Sequence, residues 1–139
     1  MSLKLEDLEV YQLAMEVADE VYALVDGWDS FPKWTTGKQL VEAADSMAAN
    51  ISEGYGRYFY KENKQFQYYS RGSQSETKTW LTKAIRRKLI PEDKFNYFIE
   101  KLELLGKKHN NYIKSIGSKP MTNDQYPMTN DQYPVTNTQ

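Results

Sequence analysis

Apolar residues recur along this chain at steps of three and four, and no stretch alternates in the two-residue rhythm of a strand. Val10, Tyr11, Ala14, Val17, Ala18, Val21 and Val25 fall on one stripe at about 100° per residue, with Glu9, Glu16, Asp19 and Glu20 opposite. The pattern predicts an amphipathic helix from about Leu8 to Asp26, capped by Asp7 and stopped by Gly27, Asp29, Ser30 and Pro32. Thr36-Gly37-Lys38-Gln39 has the form of a capping box for a second helix, whose apolar side is Leu40, Ala43, Ala44, Met47, Ile51 and Gly54. Gly54 and Gly56 then allow a turn.

A third helical pattern runs from about Lys61 to Lys88, with Phe66, Tyr69, Ser73, Glu76, Thr77, Trp80 and Ala84 as its expected core stripe. Pro91, Glu92 and Asp93 open a fourth, since proline suits the first helical position and acids favour the helix dipole there. Its stripe is Phe95, Phe98, Ile99, Leu102, Leu105, His109, Tyr112, Ile113 and Ile116. Four helices with short connections imply an all-α, antiparallel up-and-down bundle over residues 1–118. Residues 119–139 are expected to form a separate, disordered tail. There Met121-Thr122-Asn123-Asp124-Gln125-Tyr126-Pro127 repeats at residues 128–134 and begins again at Val135, without the apolar periodicity a core requires.

Composition leaves room for one core in 139 residues, 40% of them apolar. The absence of cysteine removes disulfides and thiolate chemistry and fits a reducing compartment, so cytoplasmic residence is the expectation. No apolar run approaches the ~18 residues of a membrane span, and no membrane partner is expected. The net charge of −1 conceals a polarised molecule, with a balance of −8 over residues 1–56 and +9 over residues 57–119.

That polarity gives the third helix its candidate chemistry. Arg57, Lys61, Lys64, Arg71, Lys78 and Arg86 project within about 100° of arc, with Lys83, Arg87 and Lys88 widening the far end. No acid shares the arc, and Tyr68, Ser75, Thr79 and Thr82 lie between the cations, where they too can donate to phosphates. The row reads either as a phosphate-contacting surface for RNA or DNA or as a solvated helix face. A second constellation, Ser46, Asn50 and Glu53 with Ser73 and Glu76, resembles paired carboxylates or a metal cage. A di-iron bundle needs Glu-x-x-His pairs, however, and Gly106 stands three residues before His109. The expected role is a structural polar network between helices two and three, with Arg57 or Arg71 as partner, because buried carboxylates need partners. His109 is expected to be a satisfied core imidazole. No nucleophile stands beside a base, so neither an enzymatic activity nor a cofactor is expected.

Three segments carry a family resemblance: Leu8-Glu9-Val10-Tyr11-Gln12-Leu13-Ala14, Ser46-Met47-Ala48-Ala49-Asn50-Ile51-Ser52-Glu53-Gly54, and Ser70-Arg71-Gly72-Ser73-Gln74-Ser75-Glu76. Over about residues 3–117 the chain resembles the small four-helix bundle proteins encoded by intervening sequences of large-subunit ribosomal RNA genes. That family includes the accessory variability determinant of diversity-generating retroelements. The resemblance implies a non-enzymatic homopentamer and, in the retroelement branch, a basic surface that binds nucleic acid and a reverse transcriptase. The expected function is therefore a nucleic-acid-binding accessory protein of such an enzyme; the alternative is a protein-interaction scaffold without nucleic acid. The charge split suits head-to-tail contacts that close into a ring, with Tyr11, Tyr22, Trp28, Trp34 and Trp80 as candidate anchors.

Overall fold

The computed structural model describes residues 4–118, and the repeated tail lies outside them. Four long helices make the fold: α1 (Glu9–Asp26), α2 (Lys38–Tyr55), α3 (Tyr60–Arg86) and α4 (Glu92–Ser118). Consecutive helices pack side by side and α4 returns against α1, so the bundle closes in up-and-down order. Among the described residues there is no strand.

α1 buries Val10, Leu13, Ala14, Val17, Ala18, Val21 and Val25, and α2 buries Leu40, Ala43, Ala44, Met47, Ala48, Ile51 and Gly54. Both faces follow the apolar periodicity of the sequence. The helix ends differ from expectation. Asp7 belongs to a 3-10 turn (Leu5–Asp7) and accepts from the Lys4 backbone at 3.3 Å, while Leu8 is the N-cap of α1 and makes no side-chain cap bond. Nor does Thr36 open α2: helical turns at Ser30–Pro32 and Lys33–Gly37, the latter π-helical, run without a break into it. With backbone amides already paired inside these turns, no capping box is needed. Thr36 instead accepts a 2.7 Å hydrogen bond from Arg87 Nη1, tying this segment to the end of α3. Gly37 is required there by close approach, since a Cβ would meet Val25 Cγ1 at 2.5 Å and the Pro32 carbonyl oxygen at 3.2 Å.

α3 ends on Lys88, whose φ of 61° is a left-handed conformation that glycine usually supplies. Leu89 N–H donates to the Ala84 carbonyl (2.9 Å) and Lys88 N–H to that of Ile85 (3.0 Å), the paired bonds of a Schellman motif. Half-buried Leu89 packs on the core beside it. The chain then reverses, and α4 buries Phe98, Leu102, Leu105, His109, Ile113 and Ile116.

The inner face of α3 does not follow its large side chains. Gln67, Ser70, Ser73, Thr77, Leu81 and Ala84 are buried, while Tyr69 is 50% exposed and Glu76 is exposed. The expected stripe was thus rotated by most of a residue. The helix turns toward the core the side that carries no charge, Asn63-Gln67-Ser70-Gln74-Thr77-Leu81-Ala84, spaced alternately four and three.

Candidate functional site

Polar residues on that inner face form a hydrogen-bond relay through the middle of the bundle. Gln74 Nε2 donates to His109 Nδ1 (2.8 Å), and His109 Nε2 donates to Gln67 Oε1 (2.8 Å), which requires the Nε2–H tautomer. Gln67 Nε2 donates in turn to Asn63 Oδ1 (2.8 Å) and to the Ile51 carbonyl of α2 (3.2 Å). Asn63 Nδ2 donates onward to the Tyr112 hydroxyl of α4 at 3.4 Å. One level away, Ser70 Oγ donates to the Met47 carbonyl (2.8 Å) and Thr77 Oγ1 to that of Ser73 (2.7 Å). Gln67, Ser70, Thr77 and His109 are buried and Asn63, Gln74 and Tyr112 half-buried, and the bonds offset what their desolvation would otherwise cost. Burial, with the Arg71 guanidinium as a second cause, pushes the His109 imidazole down from 6.5 to about 4. It is neutral at pH 7, and both ring nitrogens are occupied.

Gly54 sets the distance across which the relay is built. A Cβ there would meet Gln67 Nε2 at 2.5 Å and both Asn63 oxygens at 2.8 Å, so only glycine lets α2 and α3 approach this closely.

The polar network expected between helices two and three is not assembled from Ser46, Asn50, Glu53, Ser73 and Glu76. Ser46 Oγ donates to the Glu42 carbonyl, Asn50 Nδ2 to the Ser46 carbonyl, and Ser73 Oγ to the Tyr69 carbonyl, all within their own helices. Glu53 pairs with Arg57 at 2.9 Å, also locally. Glu76 faces solvent because α3 is rotated as described. The residues of α3 that do bridge helices, Asn63, Gln67, Ser70 and Gln74, are neither apolar nor charged, so apolar periodicity and charge do not single them out. An uncharged heptad was the available signal.

The basic residues divide into two groups. Arg57 is held by Glu53 and lies over the Phe66 ring, 4.7 Å from its centroid. Arg87 is spent on Thr36, and half-buried Lys64 lies against Gly117 of α4. Lys61, Arg71, Lys78, Lys83 and Arg86 are exposed. Among the described residues, Arg71, Lys78, Lys83 and Arg86 form no ion pair. From Arg71 to Arg86 they extend roughly 22 Å along the helix at about 1.5 Å per residue.

Other lysines are neutralised inside the molecule. Lys108 of α4 pairs with Glu9 of α1 at 2.6 Å and Lys101 with Glu16 at 3.5 Å, and the Tyr97 hydroxyl donates to both oxygens of Glu20 at 2.9 Å. The hydrogen bond from Lys108, with its charge, holds the Glu9 carboxyl below its ordinary value. On the opposite flank of α1 the acids face each other: burial, then the Asp19 charge, push the Asp45 carboxyl up. Near that flank, Tyr22, Val25, Trp34, Gly37, Lys38 and Val41 line a groove of ≈ 380 Å³. Tyr22 and Trp34 are 62% and 68% exposed. Among the described residues no helix is long and apolar enough to cross a membrane.

The class defined by these features is a small antiparallel four-helix bundle whose third helix buries amides inward and presents cations outward. A family described as 23S rRNA-intervening sequence protein matches residues 6–111, well over half of the sequence, and the chain belongs to that family. The fold is shared with the crystal structure of a protein of unknown function from the S23 ribosomal protein family of Bacteroides thetaiotaomicron. The TM-score is 0.68 at 21% sequence identity, over 76% of this chain and 98% of that one. No curated protein matches the chain.

Proposed function

We propose that this chain is a non-enzymatic nucleic-acid-binding protein that contacts phosphates through the outer face of α3. The supporting observation is the exposed row Arg71, Lys78, Lys83 and Arg86, free of ion pairs among the described residues, in a molecule that neutralises other lysines internally. Reversing Lys64, Arg71, Lys78 and Arg86 to Glu is expected to abolish gel-shift binding of RNA and DNA, and wild-type affinity is expected to fall steeply with salt. Binding unchanged in that variant would reject the site. The resemblance to accessory variability determinants suggests the partner enzyme, a retroelement reverse transcriptase held together with template RNA or complementary DNA. A reverse transcriptase gene with paired template and variable repeats in the neighbouring DNA would support that role, whereas an open reading frame inside a ribosomal RNA gene would support the other branch.

Assembly belongs to the same proposal. The unpaired acidic flank at Asp19 and Asp45 suits a head-to-tail contact with basic residues of the next subunit outside the phosphate row, and such contacts close into rings. A homopentamer of the 16.3 kDa chain has a mass of roughly 80 kDa by light scattering. A monomeric mass at micromolar concentration would reject it. The second reading, a protein-interaction scaffold, is favoured by the exposed aromatic groove at Tyr22 and Trp34, and predicts retention of a protein partner when the four cations are reversed.

A further inference from the structure

Within the basic face of α3 one aromatic residue is unaccounted for. Tyr68 is 52% exposed, four residues after Lys64 and three before Arg71, and so sits beside both on the helix surface. Its neighbour Tyr69, also exposed on α3, is engaged: it accepts from Gln65 Nε2 at 2.9 Å and packs edge-on to Phe66. Among the described residues Tyr68 has neither a hydrogen-bond nor a ring partner.

Gly72, one turn further on, is a second anomaly. It lies in the interior of a helix of 27 residues, and a Cβ built on it meets nothing within 4 Å. No packing constraint demands glycine there, although an exposed helical glycine is less stable than alanine. What a side chain at 72 would do follows from helix geometry. Cα–Cβ bonds tilt toward the N-terminus, so such a side chain would lean back over the turn that carries Tyr68. With glycine there, position 72 supplies no side chain to cover the half-exposed phenol ring, in a strip that also carries cations.

A bare aromatic face beside phosphate-binding groups fits an unpaired nucleobase, which stacks on the ring while its flanking phosphates meet Arg71 and the row beyond it. A duplex offers the same phosphates, but its bases are already stacked on each other and unavailable. We propose that Tyr68, uncovered by Gly72, is a stacking platform that makes the α3 row prefer single-stranded RNA or DNA over duplex. This rests on the nucleic-acid reading of the row, and adds to it the strandedness of the ligand and the residue that senses it.

The test is fluorescence anisotropy on the full chain with oligouridylate RNA, oligothymidylate DNA and a blunt DNA duplex, each about 15 nucleotides or base pairs long. The single strands should bind more tightly than the duplex, and comparison of the RNA and DNA arms assigns which sugar is preferred. Tyr68→Ala should weaken single-strand binding roughly tenfold with little effect on the duplex, while Tyr68→Trp should preserve it. Gly72→Gln should weaken it in the same sense while raising the melting temperature, which separates loss of the platform from loss of folding. Single-strand affinity unchanged in Tyr68→Ala, or equal losses on single strand and duplex, would overturn the proposal but leave the phosphate row standing. No binding of any oligonucleotide by the wild type would reject the row itself. A fall in solution mass in Tyr68→Ala would show the patch to be a subunit contact and overturn the stacking role.

Discussion

α1 and α3 solve the same packing problem with opposite chemistry. Every buried residue of α1 is apolar, whereas four of the six buried residues of α3 are Gln67, Ser70, Ser73 and Thr77. On α1 the holding force is removal of hydrocarbon from water, which is non-directional and tolerates small displacements. On α3 it is satisfaction of buried donors and acceptors, which depends on the positions of the Met47 and Ile51 carbonyls and the His109 ring. The same contrast holds outside. The acids of α1 are tied to α4 at three points, while the outer face of α3 keeps exposed cations free of such pairs among the described residues. A helix that is polar on both sides is poorly held by hydrophobic burial alone, so its geometry rests on the relay.

The sharpest way to break this contrast is at Gly54. Gly54→Val should destabilise the fold by about 4 kcal/mol in urea unfolding, because the new atoms overlap Gln67 Nε2 and Asn63 and disrupt the relay as well as overpacking the seam. A loss below about 1 kcal/mol would mean that α2 and α3 can separate freely. On the apolar side, Leu40→Ala should lose about 3 kcal/mol through the cavity it leaves, by an amount that does not vary between pH 5 and 8.

Acid should then act on the relay through one group. The folded His109 titrates near 4 and the unfolded imidazole near 6.5, so between those values the unfolded state binds the extra proton. The stabilisation is complete above pH 6.5 and is lost as pH falls toward 4, by up to about 3 kcal/mol. His109→Phe should flatten the wild-type stability slope over pH 4–6.5 whatever its own baseline, and an unaltered slope would remove His109 as its source.

Smaller effects complete the series. Gly72→Ala should raise stability by up to about 1 kcal/mol, the opposite sign to Gly54, because space is open at one glycine and closed at the other. The seam between α1 and α4 should respond least. Lys101→Met removes a half-exposed pair and should shift the melting temperature by an amount lost in measurement scatter at high salt, whereas a large shift would show that this seam carries the fold.

Periodicity alone determined four helices, their order, and the buried faces of α1, α2 and α4, since in those elements the core is made of apolar side chains whose spacing is printed in the chain. The charge split and the placement of Arg71, Lys78 and Arg86 on one arc of α3 were equally legible, because helical geometry converts spacing into a face without reference to any neighbour. Tertiary structure decided the rotation of α3. Tyr69 looked like core but is half exposed, and Trp80 packs at the core's edge, whereas a glutamine becomes a core residue only when a carbonyl of α2 and an imidazole of α4 are brought within reach of its amide, and local sequence does not contain those partners. The same reason accounts for Glu76, placed outward once the uncharged heptad faces inward, and for Thr36, whose hydroxyl meets Arg87 from 51 positions away instead of capping its own helix. Gly54 and Gly72 look alike as residues in helices, yet one is dictated by atoms 2.5 Å from where its side chain would be and the other by none within 4 Å, a difference that exists only when the helices are packed.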